Sequence, residues 1–331
     1  MEQAINYIHP YWGHPLVLLA QFIAANFLMI WRLHAMENKG FEGTVLGTLI
    51  MPYCSGFANL VFAYLMSSSA DNGGLVIENC LVNNATNLTL LLGLATLLGS
   101  TVIAQQGNSA KKSAKHAEFA RINRLNLLFT LIALFLFTGT LWALAKDGTL
   151  DLYDGLVLIA LFLFWQILHV FEVLKDNIRK NRSFHWTIVI DLALLAASAY
   201  LIYYSVDHLV NWASKADNPY FNISELGWVS GLLMVVPNAF LALYYSRIGR
   251  QDIVLSSQIG DGHICIPMCI GLFAIFNPIR IPEFFQTGVM VILGAGAFHF
   301  LAIAILGRLP RLTGLGLLGV YGFFLYQGLI Q

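Results

Sequence analysis

The chain has 331 residues, of which 58% are hydrophobic and only 11% charged, with 18 Lys and Arg balanced by 18 Asp and Glu. Soluble domains carry about a quarter charged residues, so an ordinary soluble protein is excluded, and a neutral chain whose basic residues sit in short loops is no nucleic-acid binder. No H-E-x-x-H, G-x-S-x-G or paired-acid pattern marks a catalytic centre. Neither an enzymatic activity nor a resident cofactor is therefore expected.

Apolar runs of about 18 or more residues are membrane-span candidates, and ten are present: 15–35, 43–66, 74–104, 123–145, 152–174, 184–206, 225–246, 251–276, 284–306 and 310–329. They lack the strict alternation of membrane barrel strands, which leaves helices. The fold class expected is all-α, a polytopic membrane protein of ten transmembrane helices.

The first run follows MEQAINYIHPYWGHP, which has no basic leader, and it is long enough to span. No cleavable signal peptide is expected. The second run holds Cys54, Gly56 and Asn59. The third is less apolar and carries Glu78, Cys80 and the polar string Val82-Asn83-Asn84-Ala85-Thr86-Asn87. Runs four and five are plainer, although His169 and Glu172 close the fifth and Asp191 lies near the start of the sixth. Basic loops flank all three, so interfacial pairing is the expected role. Run seven contains Pro237-Asn238, and run eight contains Gly260-Asp261-Gly262-His263-Ile264-Cys265 and then Cys269. A lone His299 sits in run nine. The four cysteines form no C-x-x-C pair, so neither a disulfide framework nor a zinc knuckle is expected.

Lys and Arg divide unevenly between the two faces. The loops after runs 1, 3, 5, 7 and 9 hold 15 of them, and the opposite face holds only Lys146, Lys215 and Arg280. Cytoplasmic loops collect basic residues. Both termini are thus expected on the extracytoplasmic side of a bacterial inner membrane or a plasma membrane.

The chain also repeats itself. Asn59 and Asn238 stand 179 positions apart, and the 82–87 and 260–265 hexads 178 apart. Each unit is an apolar helix, a short polar turn and a helix with a cluster of small and polar residues. Five runs separate the units, so the second enters the membrane upside down. This inverted repeat is a common plan of secondary transporters, with the site between interrupted helices at mid-bilayer. The expected halves are residues 1–180, with repeat 50–95, and 181–331, with repeat 230–275.

VVPNAFLALYYSRIGRQDIVLSSQIGDGHIC and SGFANL…VNNATN resemble the cation/calcium exchanger superfamily, which includes sodium/calcium exchangers. That family pairs G-x-S-x-P-E on one helix with G-S-N-x-x-N/D on the next. The resemblance places Asn59 and Asn238 at the family's two glutamates, Asn83 and Asp261 at the hexad's Ser, and Asn87 and Cys265 at its last position. It implies ten spans in two inverted halves, termini outside, and alternating access in which spans 1 and 6 slide over a core of 2, 3, 7 and 8.

Asn59, Asn83, Asn87 and Asn238 are thus expected to offer amide oxygens to a transported cation. The plainer alternative is interhelical hydrogen-bond glue. Asp261 is an intramembrane carboxylate, a functional residue by default. Glu78 is either a ligand, a proton relay or a solvated helix start. His263 follows Asp261 by two and does not share its face on a straight helix. It joins the site if Gly262 breaks the helix, and otherwise packs. A metal, if bound, is expected at Asp261 and Cys265, because a thiolate beside a carboxylate suits a transition metal. Calcium prefers 6–8 hard oxygens with several carboxylates, and amides at both glutamate positions point to another cation, exchanged for Na⁺ or H⁺. The remaining readings keep the fold and carry a small neutral or organic solute, or keep it as a transport-inactive sensor or partner subunit. The partners expected are membrane lipid and the small cation or solute.

Overall fold

The computed structural model describes residues 13–38, 51–98, 110–180, 186–215, 225–247, 249 and 251–329. Helices dominate because a backbone immersed in hydrocarbon must satisfy its own hydrogen bonds. In chain order they are α1 (Pro15–Asn38), α2 (Met51–Met66), α3 (Gly73–Thr86), α4 (Leu92–Leu98), α5 (Ala110–Leu144), α6 (Leu152–Lys180), α7 (Ile188–Lys215), α8 (Leu226–Arg247), α9 (Gln251–Ile264), α10 (Gly271–Phe276), α11 (Phe285–Leu301) and α12 (Thr313–Leu329). A π-helical turn, Asn87–Leu91, joins α3 to α4, and another, Cys265–Ile270, joins α9 to α10, so each pair runs on as one span. A third π turn, Ala302–Leu306, extends α11.

Among the described residues, seven helices are long and apolar enough to cross a membrane. The other three expected spans fall on shorter apolar stretches: Gly56–Met66 of α2, Leu152–Leu168 of α6, and the 17-residue α12. The protein is an all-α integral membrane protein. Its span boundaries follow the apolar runs, except that α5 begins at Ala110, well before the run it contains, and α6 and α7 continue past theirs to Lys180 and Lys215.

The π turns are met by side chains packed against them. Such a turn leaves backbone carbonyls without their usual partners, and side chains supply donors. His299 Nε2 meets the Leu88 carbonyl at 2.8 Å, and Thr89 Oγ1 donates to the Ala85 carbonyl. Arg124 Nη2 donates to the Ala304 carbonyl in the third turn. In the second, Pro267 has no N–H to give.

Packing repeats with the halves exchanged. Helix α3 lies on α8, as α2 lies on α9; α10 lies on α6, as α4 lies on α12; α9 lies on α5, as α3 lies on α11; and α1 lies on α7. The π turns themselves begin 178 positions apart, at Asn87 and Cys265. Two glycine crossings obey the same rule. A Cβ on Gly314 would stand 2.6 Å from the Gly93 carbonyl oxygen, and one on Gly155 would stand 2.7 Å from the Gly271 carbonyl oxygen. Small residues let membrane helices approach backbone to backbone. Gly314→Leu is therefore expected to cost about 1–3 kcal/mol by overpacking, read as a lower midpoint of thermal unfolding in detergent. An unchanged midpoint would mean that α12 does not pack on α4 as described.

The core lies where the repeats meet. Spans Ala70–Leu98 and Ile253–Phe276 each bury 78% of their best window, whereas Pro15–Arg32 and Val189–Ala213 each bury 28%. The first two form the centre, and α1 with α7 is a peripheral pair. Arg32 Nη1 joins Asp191 Oδ1 at 3.4 Å across that pair, with the Asp191 side chain 1% exposed. Asp191 was expected to pair with a basic residue of the neighbouring loops, and Arg32, counted with the loop after the first run, is one that meets it.

A short strand pair interrupts the helices among the described residues. Thr149 and Leu150 pair antiparallel with Arg280 and Ile279. Gly148 makes this possible by adopting φ 89 after the last turn of the preceding helix, a conformation that glycine reaches without steric cost.

Candidate functional site

Four spans deliver polar side chains to one buried point. On α3 and the turn after it, Asn83 and Asn87 are four residues apart and share a face. Asp261 and Cys265 repeat that spacing on α9 and its π turn. Asn59 comes from α2. Asn238 comes from α8, directly after Pro237, whose missing N–H leaves the helix one backbone donor short at that turn.

These residues form a continuous hydrogen-bonded chain. Asn83 Nδ2 reaches Asn59 Oδ1 at 3.5 Å. Asn87 Nδ2 donates to Asn83 Oδ1 at 3.0 Å and to Asp261 Oδ2 at 2.8 Å. Asn238 Nδ2 donates to the same Asp261 oxygen at 3.1 Å. Asn59, Asn83, Asn87 and Asp261 are all fully buried, and Asn238 nearly so. The acid thus accepts one amide from each half of the protein.

Cys265 adjoins the chain, with Sγ 3.9 Å from Asn83 Oδ1. Cys80 on α3 and Cys269 on the π turn after α9 carry two further thiols. All three are free and buried. The side chain of Cys54 lies outside the described residues.

Other expected residues stand apart from this chain. Gly262 does not break the helix, which continues to Ile264. His263 accordingly turns toward α5: its Nε2 meets the Thr130 carbonyl at 2.9 Å, and its ring lies 5.4 Å from Phe137 and 5.6 Å from Trp165. The role of Gly262 is steric, since a Cβ there would stand 2.6 Å from Asn84 Oδ1. Asn84 donates to the Cys80 carbonyl one turn back. Glu78 faces the start of α8, where Gly227 makes room; a Cβ on Gly227 would lie 2.6 Å from Glu78 Oε2. That oxygen is buried, with no hydrogen-bond partner among the described residues.

Gly56 has a similar explanation. It stands where the exchanger pattern has a hydroxyl, and a Cβ there would be 2.7 Å from Ile264 Cγ2. An aliphatic residue of α9 fills that space instead. Asn79 is a polar contact that sequence reading missed. Its Nδ2 donates to Ser230 Oγ at 3.0 Å and approaches Met234 Sδ at 3.4 Å. The signal was available, because residues 79, 83 and 87 form one i, i+4 amide stripe.

The five side chains of this hydrogen-bonded chain all carry hard oxygens, and only one of the five is a carboxylate. Asn84 Oδ1 and Asn87 Oδ1 are buried with no donor among the described residues. Amide oxygens in that state are ready acceptors for a cation. Among the described residues, no group of three His, Cys, Asp or Glu side chains is arranged to hold a metal by itself.

The family model described as sodium/calcium exchanger protein matches residues 11–171 and 190–327. No curated protein matches the chain in sequence. Solved structures do match in fold. The sodium-calcium exchanger NCX_Mj soaked with 2.5 mM Na⁺ and 0.1 mM Sr²⁺ aligns with TM-score 0.68 at 17% identity, over 95% of this chain and 97% of that one. The same exchanger soaked with 2.5 mM Na⁺ and 10 mM Sr²⁺ aligns with TM-score 0.67 at 18% identity, over 98% and 99%.

Proposed function

The chain belongs to the sodium/calcium exchanger family, and from that premise we propose that it is a secondary active antiporter whose cargo cation passes through the Asn59–Asn83–Asn87–Asp261–Asn238 chain. The observation that carries this reading is the double amide donation to Asp261 from Asn87 and Asn238, one from each repeat. A cation entering the cluster replaces these internal hydrogen bonds. It meets the carboxylate directly, and the amides turn their oxygens inward.

With a single carboxylate the cluster suits a metal cation other than Ca²⁺. The return leg of the cycle carries Na⁺ or H⁺. The two inverted halves, 1–180 and 181–331, sit in a bacterial inner membrane or a plasma membrane with both termini extracytoplasmic, following the 15:3 division of basic residues. Alternating access comes from the peripheral α1–α7 pair moving over the central spans.

Gradient-driven uptake by the purified protein in proteoliposomes tests the reading. Imposed Na⁺ or pH gradients are expected to drive uptake of at least one divalent cation from a panel. Absence of flux for every cation, together with thermal stabilisation by an uncharged metabolite, would replace the cation with a neutral solute.

A further inference from the structure

The thiols beside the amide chain are not needed by the reading above. We propose that they make the site thiophilic: Cys265 is a direct ligand, with Asp261 and the amide oxygens of Asn83 and Asn87, for a borderline or soft divalent cation such as Cd²⁺ or Zn²⁺. The inference rests on the site just assigned and names the class of its cargo.

Three observations converge. Cys265 shares a helix face with Asp261 at the i, i+4 spacing, and its sulfur is 3.9 Å from Asn83 Oδ1. Asn83 in turn bonds to Asn87, which bonds to Asp261, so the thiol, the two amides and the acid form one contiguous cluster. Finally, Cys80 and Cys269 add two more buried thiols on the same two central spans. The set contains only two of the usual metal-ligating types, the other ligands being amide oxygens, so it is a mixed hard and soft site and not a preformed cage of acids, thiols and imidazoles.

Ligand softness decides which ion such a set prefers. Thiolate selects Zn²⁺-like ions, while Ca²⁺ and Mg²⁺ select oxygen alone. As the metal–sulfur bond forms, the thiol proton leaves to water. A divalent ion held by one carboxylate and one thiolate is electrically neutral, which lowers the cost of keeping it in the bilayer interior. Calcium, with one carboxylate and amides, would retain an uncompensated charge there.

Equilibrium binding of Cd²⁺ to the purified full chain in detergent tests the assignment, read by bound metal and by the sulfur-to-cadmium charge-transfer absorption. The wild type is expected to bind Cd²⁺ with that absorption and to keep it against excess Ca²⁺. Cys265→Ser is expected to abolish the absorption and to weaken Cd²⁺ by at least about tenfold, the low end of what losing even a supporting residue costs a metal site. Cys80→Ser is expected to retain the absorption with a smaller loss. Cd²⁺ binding that survives Cys265→Ser with its absorption intact, or that Ca²⁺ displaces on equal terms, overturns the proposal. A protein that binds Cd²⁺ in this way yet moves no ion would remove the antiporter reading and leave the ligand assignment standing.

Discussion

Asp261→Asn is expected to abolish cation flux while leaving the fold intact. The substitution keeps the size of the side chain, and its amide oxygen can still accept from Asn87 and Asn238 at the positions now 2.8 and 3.1 Å from Oδ2. What disappears is the one negative charge in a cluster of amides, and with it most of the attraction for a cation in a low dielectric. Uptake in proteoliposomes should fall by at least about a hundredfold, the upper end of what losing a supporting partner alone costs a metal site. The thermal unfolding midpoint should barely change. Undiminished uptake by a folded Asp261→Asn protein would remove this residue from the mechanism.

Arg32→Leu is expected to destabilise the protein. It would remove a cation from beside a buried carboxylate, since the Asp191 side chain is 1% exposed and meets Arg32 at 3.4 Å. Breaking such a pair from one side costs about 3–5 kcal/mol, whereas replacing both members by apolar residues is often neutral or better. The double variant Arg32→Leu/Asp191→Leu should therefore recover most of the lost stability. A double-mutant cycle on unfolding midpoints measures the coupling. Additive losses would show that the two side chains do not depend on each other. The pair staples α1 to α7, so the double variant also asks whether these helices must move as one body. If they must, it will be stable and slow.

The spans were legible in the sequence because the bilayer permits so few structures. Runs of apolar residues gave helices almost to the residue at 226–247 and 251–276. The central cluster was legible through the repeat: Asn59, Asn83, Asn87, Asn238 and Asp261 stand at matching offsets, and polar groups at that depth need a shared interior. What was not legible depends on distant partners. The π turn at 87–91 has a donor from His299, more than two hundred residues on, and the turn at 302–306 has one from Arg124. No local pattern announces either. The aqueous end of α5, from Ala110, is invisible to hydropathy, which stops at the membrane edge. His263 was ambiguous on sequence alone because its role turned on whether Gly262 bends the helix. It does not, since the nearby irregularity comes later, at the turn holding Pro267. The need for Gly56 was not legible either, because Ile264, which crowds it, lies far along the chain.

The hydrogen bonds at the centre join residues made at very different times. Asn87 finds Asp261 only 174 residues downstream, and Asn79 finds Ser230 only 151 downstream. While the ribosome is still building the second half, the first half rests in the membrane with its amide stripe unanswered by those partners. Synthesis halted before α9 would leave that stripe facing lipid or the insertion machinery, a natural mark for the proteases that clear orphaned membrane segments.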